Sequence, residues 1–120
     1  MIGKIIFTGL KVPSANSMYR RNRGPDKKTS PQTTLKNTIE NLTDGSDIQL
    51  IEDKKIFLRI KFERKSNRKF DLDNCLKSII DCLQGVLYKD DDQIYALFAS
   101  KEVGCPENIV TIDYETLKDD

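Results

Sequence analysis

The sequence predicts an α+β fold, one small domain in the order β-α-β-α-β-β with a mixed four-stranded sheet packed by two helices. Three observations predict it. The chain has 120 residues, enough for one core and too few for two, so residues 1–120 read as a single domain. Two segments space their apolar residues at helical intervals. Four short runs are β-branched or alternate in polarity, as strands do. Hydrophobic residues at 38% and charged residues at 32% fit a globular protein that leans polar. No apolar run approaches the roughly 20 residues that span a bilayer.

The first strand is predicted at Ile2 to Leu10, an apolar, β-branched run closed by Gly9. It carries Lys4 as its one charge and no small-residue cleavage site, so it reads as a strand and not as a signal peptide. Residues 11–30 read as a basic loop, with Pro13, Gly24 and Pro25 breaking any regular pattern. Such a loop lies along a nucleic-acid backbone or is a solvated surface segment ordered only by a partner. The first helix is predicted over Pro31 to Leu42, with Ser30 as cap and Leu35, Ile39 and Leu42 on one face. Ile56 to Phe62 reads as a half-buried strand: Ile56, Leu58, Ile60 and Phe62 point inward, and Phe57, Arg59 and Lys61 outward. The second helix starts at Asp71 or Asp73 and carries Leu76, Ile79, Ile80, Leu83 and Leu87 as its inward stripe. Ile94 to Phe98 and Ile109 to Tyr114 read as the last two strands, joined by Gly104-Cys105-Pro106-Glu107-Asn108, and their adjacency predicts an antiparallel hairpin.

Charge is unevenly distributed along this order. The net charge is +1. Residues 1–30 carry seven bases against Asp26, and residues 54–69 carry eight against Glu63. Residues 31–53 carry one lysine against five acids, and residues 71–120 carry four bases against twelve. Basic blocks beside acidic ones predict a phosphate-binding surface around a metal pocket; mutual neutralisation across the fold explains them equally well. The chain has no histidine. That excludes the commonest general base and every nucleophile that a histidine activates. The three cysteines, Cys75, Cys82 and Cys105, make no close pair, so they read as reduced thiols of a cytoplasmic protein and not as a zinc site.

The chemistry left to such a chain rests on carboxylates, lysines or a metal ion, and the acids gather at the two ends of the second helix. Asp71 and Asp73 stand at its start, with Lys77 one turn on, and Asp90, Asp91 and Asp92 open the following strand. Hard oxygen ligands suit Mg²⁺, with Mn²⁺ as a substitute, and a bound ion can activate water against a phosphodiester. Taken singly, each feature reads more simply as a helix cap, a turn or an i, i+4 ion pair. The acids share one ion only if Asp91 lies on a strand returning beside the motif's start.

The motif Asp71-x-Asp73-Asn74-x-x-Lys77, Asp81-x-Leu83, Asp90-Asp91-x-Gln93-Ile94 resembles that of the RusA family of Holliday junction resolvases. Pro13-Ser14-x-Asn16-x-x-Tyr19-Arg20-x-Asn22-Arg23-Gly24 is similar to that family's basic loop after the first strand. The resemblance implies a Mg²⁺-dependent endodeoxyribonuclease, often carried by phages or prophages. Its homodimers cut two opposed strands of a four-way junction in DNA recombination and repair. It implies Asp71, Asp73 and Asp91 as catalytic, metal-binding aspartates and Lys77 as a catalytic lysine. Asn74, Asp90 and Gln93 then act as supporting groups, and Asp92 is an additional acid beside Asp91. Tyr19, Arg20, Arg21, Arg23, Lys65, Arg68 and Lys69 would bind the DNA backbone. The expected location is the cytoplasm of a bacterial or phage-infected cell, with no membrane contact. Two rival readings are a DNA-binding module without catalysis, its acids serving as caps, and a metal-dependent phosphatase for small substrates.

Overall fold

A computed structural model describes residues 2–12 and 31–117. The basic-loop residues Tyr19, Arg20, Arg21 and Arg23, and the cap Ser30, lie outside the described residues. The elements are β1 (Ile2–Thr8), α1 (Pro31–Thr43), β2 (Ile56–Glu63), α2 (Leu72–Leu83), a 3-10 turn (Asp91–Gln93), β3 (Ile94–Glu102) and β4 (Ile109–Thr116). The predicted β-α-β-α-β-β order and the mixed four-stranded sheet are both present. No helix among the described residues is long and apolar enough to cross a membrane.

The sheet order is β1-β4-β2-β3. β4 runs antiparallel to both β1 and β2, and β3 runs parallel to β2. The expected hairpin between the last two strands is therefore absent: β2 lies between them. The reason is the crossover. α2 supplies the connection of a dozen or more residues that a parallel β2–β3 pair needs. The loop after β3 must then pass the end of β2 to reach β4. It is tied there by the Arg64 amide donating to the Glu102 carbonyl at 3.0 Å and the Cys105 amide donating to the Arg64 carbonyl at 2.9 Å.

One face of the sheet is buried, as the alternation of β2 requires. Ile56, Leu58, Ile60 and Phe62 are buried with Ile5, Phe7, Val110 and Ile112, under Leu35 and Ile39 of α1 and Ile79, Cys82 and Leu83 of α2. Each such side chain contributes about 1.5–3 kcal/mol on leaving water. The opposite face stays open, with the Arg59 guanidinium lying over the Phe57 and Phe98 rings at 5.9 and 5.6 Å. Leu42, expected on the inner face of α1, is exposed at the helix end.

α2 stops at Leu83, short of the stripe's last member. Gln84 is extended and Gly85 takes φ 87°, a left-handed conformation that turns the chain back. Leu87 is still buried, but in that turn. Lys36 of α1 donates to the Cys82 carbonyl at 3.0 Å and to the Gln84 carbonyl, so it caps the carbonyl end of α2 with a positive charge. The reversal seats Tyr88 in the core, where its hydroxyl donates to the Ile80 carbonyl at 2.5 Å and burial pushes the phenol's pKa up.

Candidate active site

The amino end of α2 holds the first group of predicted residues. Asp71 is the N-cap, with extended backbone (φ −86°, ψ 116°), and its carboxylate makes no capping hydrogen bond. Asn74 instead donates to Asp71 Oδ2 at 3.3 Å. Asp73 lies in the first turn. Both aspartates are exposed at the amino end of the helix. A carboxylate not spent on capping keeps its oxygens for another partner.

The segment before α2 surrounds these acids with bases. Arg64 stacks on the Phe70 ring at 3.9 Å, donates to the Val12 carbonyl at 2.5 Å and reaches Cys75 Sγ at 3.3 Å. The Cys75 thiol, its pKa raised chiefly by burial, donates to the same Val12 carbonyl at 3.5 Å. Val12 is the last described residue before residue 31, and its carbonyl lies against Arg64 and Cys75. Lys101 donates to the Phe70 carbonyl and sits 5.0 Å from its ring. Phe70 thus packs, as an aromatic platform for two cations. Lys65, Arg68 and Lys69 are exposed on the same approach.

The second group lies at the other end of α2. Asp90 opens the 3-10 turn as a capping box: its side chain accepts from the Asp92 amide at 3.1 Å, and Gln93 Oε1 accepts from the Asp90 amide at 2.9 Å. Gln93 is buried and fully engaged. Its Oε1 also accepts from the Lys89 amide at 3.0 Å, and its Nε2 donates to the Ile51 and Lys54 carbonyls at 3.0 and 3.1 Å. The Asp91 amide donates to Gln84 Oε1 at 3.3 Å, which fixes Asp91 at the carbonyl end of α2. The carboxyl of Asp91 titrates above its ordinary value, first because its protonated form donates to Asp90, then through burial and repulsion from Asp90, Asp81 and Asp92.

Within one chain the two groups are not brought together. α2 has 12 residues, a length of about 18 Å. Asp71 and Asp73 stand at one end, and Asp91 at the other, with Lys77 exposed between them. The sequence condition, that Asp91 return beside the motif's start, is not met: β3 runs parallel to β2 and starts from the far end of the helix. Of the acids on α2, the one whose charge raises the pKa of Asp91 is Asp81, in the last turn. Sequence reasoning quoted Asp81 in the motif but gave it no role; its position ten residues before Asp91, ahead of the Gly85 reversal, was the available signal. Asp81, Asp90 and Asp92 thus concentrate negative charge around Asp91.

Among the described residues, the acids and thiols close enough to share one ion are Glu63, Glu102 and Cys105, with ligand atoms within 4.8 Å. Sequence reasoning missed this cluster, since only the parallel register sets Glu63 opposite Glu102. Lys61 lies 3.8 Å from both carboxylates and offsets part of their charge. The Cys105 thiol donates to Glu102 Oε2 at 3.7 Å, so the group is satisfied without a metal.

Comparison with known proteins matches a family model described as endodeoxyribonuclease RusA to residues 10–113. No curated protein is matched. The matched span takes in both ends of α2 and the basic loop.

Proposed function

We propose, from the premise that the chain belongs to the RusA endodeoxyribonuclease family, that it is a homodimeric, Mg²⁺-dependent nuclease that resolves four-way DNA junctions by paired nicks. Each ion would be held by Asp71 and Asp73 of one protomer and Asp91 of the partner subunit. The observation that carries this reading is the separation of those acids across the length of α2. One chain cannot place them on one ion, and a two-fold assembly can.

The residues divide the work. Asp71 and Asp73, free of capping duty, offer hard oxygen ligands at the amino end of α2. Asp91 is presented by a turn that Gln93 locks from beneath, and Asp81 and Asp90 supply further negative charge beside it. Bound Mg²⁺ (or Mn²⁺ in its place) supplies a water of lowered pKa and neutralises charge at the phosphate. Lys77 faces the phosphate with a point charge that offsets the charge developing as water adds to phosphorus and the bridging P–O bond breaks. Lys65, Arg68 and Lys69, with Tyr19, Arg20, Arg21 and Arg23, bind backbone phosphates. Affinity then falls steeply as salt rises.

Mixing two inactive variants tests the reading. Asp71→Asn and Asp91→Asn each abolish nicking of a labelled four-way junction with Mg²⁺. In their heterodimer, one site carries both substitutions and the other carries neither. Random reassociation therefore restores about a quarter of the wild-type sites, seen as single nicks without paired resolution. No recovery on mixing would refute the shared site. Tight junction binding by wild type without any cleavage would leave a binding module in place of a nuclease.

A further inference from the structure

β3 is an edge strand: among the described residues it pairs with β2 alone. It carries Tyr95, Leu97 and Phe98, which are 64%, 41% and 53% exposed. The two faces of the strand share this apolar surface. Leu97 pairs in register with the buried Leu58, on the helix side, and Phe98 with the outward Arg59. Edges of this kind template pairing with another chain unless charge, a bulge or a covering element blunts them. The register shift at Ile56/Phe57 marks only the strand's start, and the middle is open.

We infer that the β3 edge pairs antiparallel with the β3 edge of a second copy of this chain, and that this union brings the two acidic ends together. The inference rests on the nuclease reading above and names the surface that makes its site. Three observations on β3 specify the partner as a second copy. First, β3 begins at the Asp90–Gln93 turn and ends beside Phe70 and Asp71, where Lys101 meets the Phe70 carbonyl. A two-fold axis normal to the sheet runs the two strands in opposite directions. The start of one β3 then lies beside the end of the other, and the acid turn of one protomer arrives at the Asp71 end of its partner.

Second, charge is complementary along the same line. The start carries Asp90, Asp91 and Asp92; the end carries Lys101, with Arg64, Arg68 and Lys69 close behind in the segment that leads to α2. Antiparallel pairing centred on Phe98 sets Tyr95 opposite the partner's Lys101, and this chain already shows both side chains in cation–aromatic contact, Lys55 over Tyr95 and Lys101 beside Phe70, each at 5.0 Å. Third, the other edge does not serve. β1 also exposes apolar side chains, Ile2 and Ile6, but it lies three strands from β3 in the order β1-β4-β2-β3. At about 4.8 Å per strand, pairing through β1 would hold the two α2 helices roughly 30 Å apart.

The experiment is sedimentation of the full chain at micromolar concentration, with far-UV circular dichroism as the measure of folding. Wild type sediments at twice the chain mass. Phe98→Glu sets two carboxylates across the axis and sediments as a folded monomer, whereas Ile6→Glu on the opposite edge stays a dimer. Tyr95→Lys, at a largely exposed side chain, gives a second test: it opposes the partner's Lys101 and raises the dimer dissociation constant at least tenfold. A monomeric wild type overturns the inference, as does a dimer that survives both β3 substitutions or is broken by Ile6→Glu. Mass and cleavage are read separately. A dimer broken by Phe98→Glu supports the seam even where no junction is cut; a Phe98→Glu dimer that still cuts overturns the seam and leaves the nuclease reading standing.

Discussion

Replacing Gln93 by leucine removes the side chain that fastens the Asp90–Asp92 turn to the body of the protein, and the structure sets the size of the loss. Gln93 makes four hydrogen bonds to backbone groups, to Lys89, Asp90, Ile51 and Lys54. Two of those groups keep another partner, because the Lys89 amide also donates to the Ile51 carbonyl at 3.2 Å. The Asp90 amide and the Lys54 carbonyl are the two left short. An unpaired group that burial keeps from water costs about 1–3 kcal/mol, and both are only part-buried, so the expected loss is about 3 kcal/mol. That is a large share of the roughly 5–15 kcal/mol that holds a domain folded, and it lowers Tm by roughly 10 °C. Urea unfolding followed by far-UV circular dichroism measures it. A loss under about 1 kcal/mol would refute the reasoning. Gln93→Glu adds a check on sign. Its carboxylate would set acceptors against the Ile51 and Lys54 carbonyls, which raises its folded pKa above the unfolded value. Stability is then retained at low pH, where the acid donates, and lost as pH rises through the folded pKa. A deficit that stays constant from about pH 4 to about pH 8 would show that acceptor repulsion is not the cause.

Asp91 carries the same pH signature in the native protein. Its folded pKa is raised, chiefly because its protonated carboxyl donates to Asp90 and because neighbouring acids repel its charge, so ionisation costs stability as pH rises through that value. Asp91→Asn is therefore expected to melt above wild type at pH 7 while losing junction cleavage, and the difference should vanish below the ordinary carboxyl value of 3.8; a lower melting temperature at pH 7 would contradict it. The cysteines should divide by reactivity. Cys75 and Cys82 are buried, with the Cys82 thiol pushed up to about 11 by burial, whereas Cys105 is part-exposed. Mass spectrometry after alkylation at pH 8 should find one modified thiol in the native protein and three after unfolding, with the native one at Cys105; early labelling of Cys82 would show that the carbonyl end of α2 opens.

What the sequence made legible was local. The alternation along Ile56–Phe62 and the helical spacing of Leu35 with Ile39, and of Ile79 with Leu83, each describe one element against one core, and the structure buries those residues. Val12, Ile51 and Tyr88 are equally buried, but they stand in irregular segments where no period announces burial. Gly85 sits inside the helical spacing that runs to Leu87. It reverses the chain there, and that reversal carries Leu87 and Tyr88 into the core and brings Asp91 back to the carbonyl end of α2. The hairpin expectation failed for a nonlocal reason: the short loop between β3 and β4 looks like a hairpin turn, while the α2 crossover had already committed β3 to the far side of β2.

The same crossover explains why the acids of the motif are apart. In a β2-α2-β3 unit with parallel strands, the residues entering the helix and the residues leaving it for β3 lie at opposite ends of the sheet. Asp71 and Asp73 belong to the first set and Asp91 to the second. Adding two carboxylates to the cluster at Asp81, Asp90, Asp91 and Asp92 would cost each new pair about 4 kcal/mol at 4 Å and an effective dielectric of 20. The separation spares the single chain that cost, so its folding needs no cation. On the proposed reading, the repulsion arises only when two chains meet, at the point where Mg²⁺ and the bases around Phe70 are available to offset it. Dimer stability should then depend on the ion while the fold of each protomer does not, which is the distribution expected of an enzyme whose site is made by assembly.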